Sequence, residues 1–143
     1  MASGPETDLP GTHLLSLPGE DDAEGILINW IHFGESDIEC QARYGRTLTH
    51  KMGHYLSLLH TWGSGNCELN DYCNDTPAVD VTVFGRNSFE GCSGEFVMIS
   101  NYMNYSDDEI MNIFTNNQVD RMHYVLNNHM GRNSLMSSPA LEQ

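Results

Sequence analysis

The sequence predicts a small α+β domain gathered around a metal site, and three observations carry that prediction. His50 and His54 are four apart in a run without proline, so a helix stacks them on one face. His60 follows six residues later and reaches the same point only if the helix ends and the chain turns back. Before this helix, Gly25 to Phe33 is a β-branched and aromatic run of one strand's length. After it, Thr115 opens a second amphipathic helix.

Composition narrows the function. The 143 residues suit one domain, and the net charge is −14. That charge argues against nucleic acid or an anionic membrane as partner and suits divalent cations or basic substrates. Five of the six basic residues are arginines, and Lys51 is the only lysine. Four cysteines (Cys40, Cys67, Cys73, Cys92) lack zinc-ribbon spacing and suggest disulfides and an oxidising, extracellular compartment. The polar start, Met1 to Asp8, is no signal peptide, and no apolar run is long enough for a membrane helix.

In chain order, residues 1–24 read as a surface loop or linker with a small apolar patch at Leu14, Leu15 and Leu17. The strand over Gly25 to Phe33 is apolar on both faces, as in a covered sheet. The first helix spans Arg46 to Leu58, with Thr47 and Thr49 as N-terminal residues and Gly53 permitting a close approach. Thr61 to Ser100 shows little periodicity, and a loop of that length needs staples, disulfides or metal ions. Val119, Met122, Val125 and Leu126 form the apolar stripe of the last helix, which Gly131 stops. The domain is expected over 25–131, with 132–143 a loosely held tail.

Three imidazoles at 50, 54 and 60 form a site for zinc with one coordination position left open. Each histidine alone reads more readily as an ordinary surface or core residue. Their joint spacing reverses that. The pattern His-x-x-x-His-x-x-Ser-x-x-His, followed by Asn101-Tyr-Met-Asn-Tyr-Ser-Asp-Asp108, resembles the metzincin zinc peptidases, and most closely their pappalysin (ulilysin-like) group. Gly45-Arg-Thr-Leu-Thr-His50, His60-Thr-Trp-Gly63, Asn74-Asp-Thr-Pro77 and Met111-Asn-Ile-Phe-Thr115 read the same way. The resemblance covers roughly Gly25 to Leu126.

The resemblance implies a zincin-like catalytic domain that here lacks most of the N-terminal upper sheet. It implies zinc on His50, His54 and His60, Met103 in a Met-turn beneath the ion, and Tyr105 as a ligand or oxyanion donor. It suggests a disulfide between Cys67 and Cys92, leaving Cys40 and Cys73 as a second pair. It also implies a structural calcium, with Asp71, Asp75 and Thr76 as candidate ligands. A solvated acidic loop explains those residues equally well. Asp107 and Asp108 would stand where a substrate side chain enters, favouring Arg or Lys there; turn formation and helix capping explain them at least as well.

Two residues depart from the family pattern. Lys51 stands where the general-base glutamate belongs. An ammonium cannot accept a proton at neutral pH, and its long stem can carry the charge out to water. Ser57 stands where the pattern has Gly or Asn, at a break that favours a left-handed backbone. The sequence therefore predicts a zinc metalloendopeptidase in inactive or impaired form, acting on peptides or proteins. The alternative is a non-catalytic zinc- and calcium-binding module that holds peptide without cutting it.

Overall fold

The computed structural model describes residues 12–14, 25–35, 37, 40–68 and 70–139. Strand β1 (Thr12–Leu14) pairs antiparallel with β2 (Gly25–Leu27), Thr12 opposite Leu27, and both lie against helix α1 (Arg46–Tyr55). Strand β3 (Phe84–Gly85) pairs parallel with β4 (Tyr105–Ser106). Helix α2 (Asn116–Asn128) follows, then a 3-10 turn over Asn133–Ser137.

Strand β2 is shorter than the predicted Gly25 to Phe33 and has a partner that the sequence did not suggest. After Leu27 the Asn29 side chain accepts the N–H of Ile31 and caps a 3-10 turn over Trp30–His32. Trp30 is 81% exposed, so this half of the apolar run does not enter a sheet. Thr12–Leu14, expected as loop, supplies the pairing strand. Leu15 and Leu17 lie outside the described residues.

Helix α1 begins at Arg46 because Gly45 turns the chain at φ 74°. A Cβ there would lie 3.1 Å from the Gly34 backbone, so glycine is required on two counts. Thr47 and Thr49 fall inside the helix and do not cap it. The helix stops three residues earlier than predicted. The N–H groups of Leu56 and Leu58 both turn back to the Gly53 carbonyl, at 3.1 and 2.9 Å.

The long stretch after His60 has almost no regular structure, as its lack of periodicity predicts. It is stapled by a Cys67–Cys92 disulfide with Cα atoms 5.7 Å apart. Its core is Trp62, Val79, Val83 and Val97, with Phe89, Ile99 and Tyr105 packed around them. The expected second disulfide is absent: Cys40 and Cys73 are both free. Cys73 is buried in the turn with Asp71 and Thr76, whereas Cys40 lines a cleft with Tyr44 and Arg86.

Thr115 caps α2 as predicted, within a capping box that includes Gln118. The apolar stripe of α2 is only half-buried, and Gln118 is its one fully buried residue. Beyond the helix, Arg132 is buried with its guanidinium 4.6 Å from the Tyr55 ring centre. The segment expected as a loose tail thus begins with a packed residue. Among the described residues, no helix is long and apolar enough to cross a membrane.

Candidate metal centre

Helix α1 delivers two histidines and the turn after it delivers the third. His50 and His54 lie on one face of the helix. Ser57 adopts φ 67°, the left-handed conformation expected at the break, and sends the chain back toward His60. Arg121 of α2 donates through Nε to the Ser57 carbonyl at 2.7 Å and so anchors this turn.

The three side chains converge on one point. His54 Nε2 lies 3.0 Å from both His50 Nε2 and His60 Nε2. His50 Nδ1 faces the Tyr102 carbonyl at 2.6 Å, and His54 Nδ1 faces the Leu58 carbonyl at 2.9 Å. A carbonyl can only accept, so in both rings Nδ1 carries the proton and Nε2 carries a lone pair. Two lone pairs facing each other do not make a hydrogen bond. A cation between them satisfies both. Tetrahedral zinc with bonds of about 2.0–2.1 Å would set nitrogens roughly 3.3 Å apart, close to the spacing here. The donor set fits zinc.

Aromatic rings wall the centre. Trp62 stacks on His60 with centroids 4.3 Å apart and planes 12° from parallel. Tyr105 stands edge-on to His60 at 4.7 Å and lies 5.7 Å from His50. Burial raises the Tyr105 pKa above the usual phenol value, so its hydroxyl keeps its proton at neutral pH. Beneath the helix lies Met103, fully buried. A Cβ on Gly53 would come within 2.4 Å of the Met103 sulfur, so glycine is what lets the helix rest on that turn.

Lys51 follows His50 on α1. As a residue it is only 8% exposed, so most of its stem is covered by the fold. Burial lowers its pKa. Among the described residues its ammonium has no ion pair or hydrogen bond.

The acidic loop brings Asp71, Asp75 and Thr76 together. Asp71 Oδ1 accepts from the Thr76 hydroxyl at 2.7 Å and from the Cys73 N–H at 3.1 Å. Asp75 Oδ2 accepts the Asn117 N–H at 2.9 Å, at the start of α2. Asp71 Oδ2 and Asp75 Oδ1 are buried without a partner. Burial raises the Asp71 pKa, with the Asp75 charge adding to it. For Asp75, burial works the same way but is outweighed by the Asn117 N–H and neighbouring donors, which lower the pKa.

Asp107 and Asp108 part company. Asp107 pairs with Arg86 Nε at 2.5 Å beside a cleft of about 310 Å³, which Glu109 and Tyr44 also line. Asp108 is 2% exposed and accepts the N–H groups of Tyr44 and Arg46, each at 3.0 Å, just before α1. Its carboxylate organises that loop and does not face the cleft.

Some supporting residues gave no sign in the sequence. Asn101 and Gln118, both fully buried, exchange two side-chain hydrogen bonds of 2.9 and 3.2 Å. Asn101 Oδ1 also accepts the Met103 N–H, so α2 fixes the turn under the histidines. No spacing rule marks such a pair. Trp62 falls inside a quoted motif, but nothing local shows that it would stack on His60.

Comparisons with known proteins agree with this geometry. A family model described as Pregnancy-associated plasma protein-A, peptidase M43, matches residues 20–127. An extracellular metalloprotease of Colletotrichum graminicola is 39% identical over 88 residues, covering 58% of this chain and 31% of the relative. Extracellular metalloprotease 1 of Coccidioides posadasii is 42% identical over 82 residues, covering 54% of this chain and 29% of the relative. Among solved structures, Tannerella forsythia mature mirolysin in complex with a cleaved peptide superposes with a TM-score of 0.80 at 34% identity. That match covers 94% of this chain and 54% of the mirolysin chain. The chain thus spans about a third of these curated relatives and about half of the solved one. By sequence match and by fold, it belongs to the pappalysin-like M43 family of metallopeptidases.

Proposed function

We propose that this chain carries the zinc site of a metalloendopeptidase, with Lys51 in the position of the general base and the chain inactive or impaired as a result. The observation that supports it most is the convergence of His50, His54 and His60 through Nε2, with two Nδ1 atoms held by backbone carbonyls. Zinc, when bound, supplies Lewis acidity toward the scissile carbonyl and toward water. The chain's own groups do the rest. Trp62 holds the His60 ring by stacking. Tyr105, still protonated at neutral pH, can donate to a developing oxyanion. Lys51 lacks a carboxylate's capacity to take a proton, a loss of roughly a hundred- to ten-thousand-fold in rate.

The relatives are named as extracellular metalloproteases, and the mirolysin structure holds a cleaved peptide. A secreted protein acting on peptides, without nucleic-acid or membrane partners, fits both these and the charge of −14. Asp107 is the better candidate for a basic substrate side chain, since it lines the cleft while Asp108 is held under the start of α1. A candidate calcium site on Asp71, Asp75 and Thr76 rests on the two carboxylate oxygens left without partners.

A second reading has its own support. A lysine where the general base belongs, with no anionic partner among the described residues, favours a module that binds peptide and does not cut it. One paired experiment tests both. Zinc content and peptidase activity are measured for the chain and for Lys51→Glu. The expected result is about one zinc per chain for both, with cleavage gained or greatly raised in the variant. A folded, zinc-loaded Lys51→Glu chain that cuts nothing would overturn the peptidase reading. Absence of zinc from both would overturn both readings.

A further inference from the structure

We propose that Lys51 makes the three-histidine site a receptor for peptides that end in a free α-carboxylate, its ammonium pairing with that carboxylate. The inference rests on the reading that this site binds peptide when zinc-loaded, and it names the class of peptide. Lys51 is the chain's only lysine and is buried, with no anionic partner among the described residues. An ammonium with no anionic partner is available to pair with an arriving anion.

Position makes the arrival local. Lys51 is one residue after His50 and three before His54, so it leaves α1 on the flank of the histidine face. The candidate metal cluster there is made of His50, His54 and His60. Tyr105, edge-on to His60, adds an O–H donor. Lysine, tyrosine and metal together thus form a donor-rich, cationic spot. An internal peptide bond offers this spot a neutral carbonyl. A chain terminus offers a full negative charge, and charge-assisted hydrogen bonds are about twice as strong as neutral ones. The net charge of −14 opposes an anion at long range, but physiological salt screens it beyond about 8 Å. Contact at Lys51 then decides.

The test compares N-acetyl-Ala-Ala-Phe bearing a free carboxylate with the same peptide as its C-terminal amide. Calorimetry on the zinc-loaded chain is run alongside Lys51→Met and Lys51→Arg, with zinc per chain measured for each. The wild-type chain should prefer the acid by roughly ten- to hundred-fold. Lys51→Met keeps an apolar stem of similar length and should lose most of that preference at unchanged zinc content; Lys51→Arg should keep it. Equal binding of acid and amide by the wild type would overturn the proposal, as would an undiminished preference in Lys51→Met, which would assign the discrimination to the metal alone. If the zinc-loaded wild type binds neither peptide, the peptide-binding reading itself falls and takes the proposal with it.

Discussion

At the scale of single residues, burial assigns roles that residue type leaves open. Asp107 and Asp108 are adjacent and chemically identical. One pairs with Arg86 at the cleft and the other is sealed under the start of α1. Burial raises the Asp108 pKa, against the pull of the Arg46 and Tyr44 N–H groups. An acid with a raised folded pKa contributes stability below its unfolded pKa and loses it as pH rises through the folded value. Asp108→Asn keeps an acceptor for both N–H groups and carries no charge. It should fold, with stability within about 1 kcal/mol of wild type. It should also lack the downward step that the wild type shows from about pH 4 upward, toward the raised folded value. Asp108→Ala strands two buried donors and should cost about 2–4 kcal/mol. Urea unfolding across that pH range reads both, and a wild-type curve indistinguishable from Asp108→Asn would refute the assignment.

At the scale of elements, each helix positions the centre differently. Helix α1 carries two of the candidate ligands and ends early, because Ser57 at φ 67° turns the chain toward His60. Helix α2 carries no ligand and still fixes two supports, the Ser57 carbonyl through Arg121 and the Met103 turn through Gln118 and Asn101. Gln118→Ala removes both bonds to a fully buried Asn101 and half of the capping box. It should cost about 2–3 kcal/mol by urea unfolding and weaken zinc binding measurably in a chelator competition. Unchanged zinc affinity would show that α2 stabilises the fold without tuning the site. The disulfide is a third support. With its cysteines 25 positions apart, it should contribute about 3.5 kcal/mol by the chain-entropy estimate.

At the scale of the whole molecule, the apolar core among the described residues is small. Four residues, Trp62, Val79, Val83 and Val97, form the principal buried cluster, while Leu27, Trp30 and Phe33 remain exposed. A domain built this way depends on cross-links beyond apolar burial. Zinc that binds only the folded chain should stabilise it by mass action, by about 2.7 kcal/mol at a hundred-fold excess over the dissociation constant. Tm should therefore rise with added zinc and fall with a chelator. The rise should vanish in His54→Ala, which removes the imidazole that both other Nε2 atoms face. A zinc-independent Tm would mean that the triad holds no metal.

The meeting of the three histidines was legible in the sequence because their placement obeys a local geometry. Helical spacing sets His50 and His54, and a left-handed residue at Ser57 sets His60. Thr115 was legible for the same reason, since a capping box is completed within four residues. The Cys67–Cys92 bond followed from family resemblance, and the structure contains it. The pairing of Cys40 with Cys73 failed because counting cysteines takes no account of where the fold buries each one. The strand over Gly25 to Phe33 shortened because Asn29 offered Ile31 a closer partner than a sheet could. Above all, tertiary structure decided the state of Lys51. Sequence names the residue after His50, but only packing determines whether its long stem lies in water or under cover, and here it is under cover.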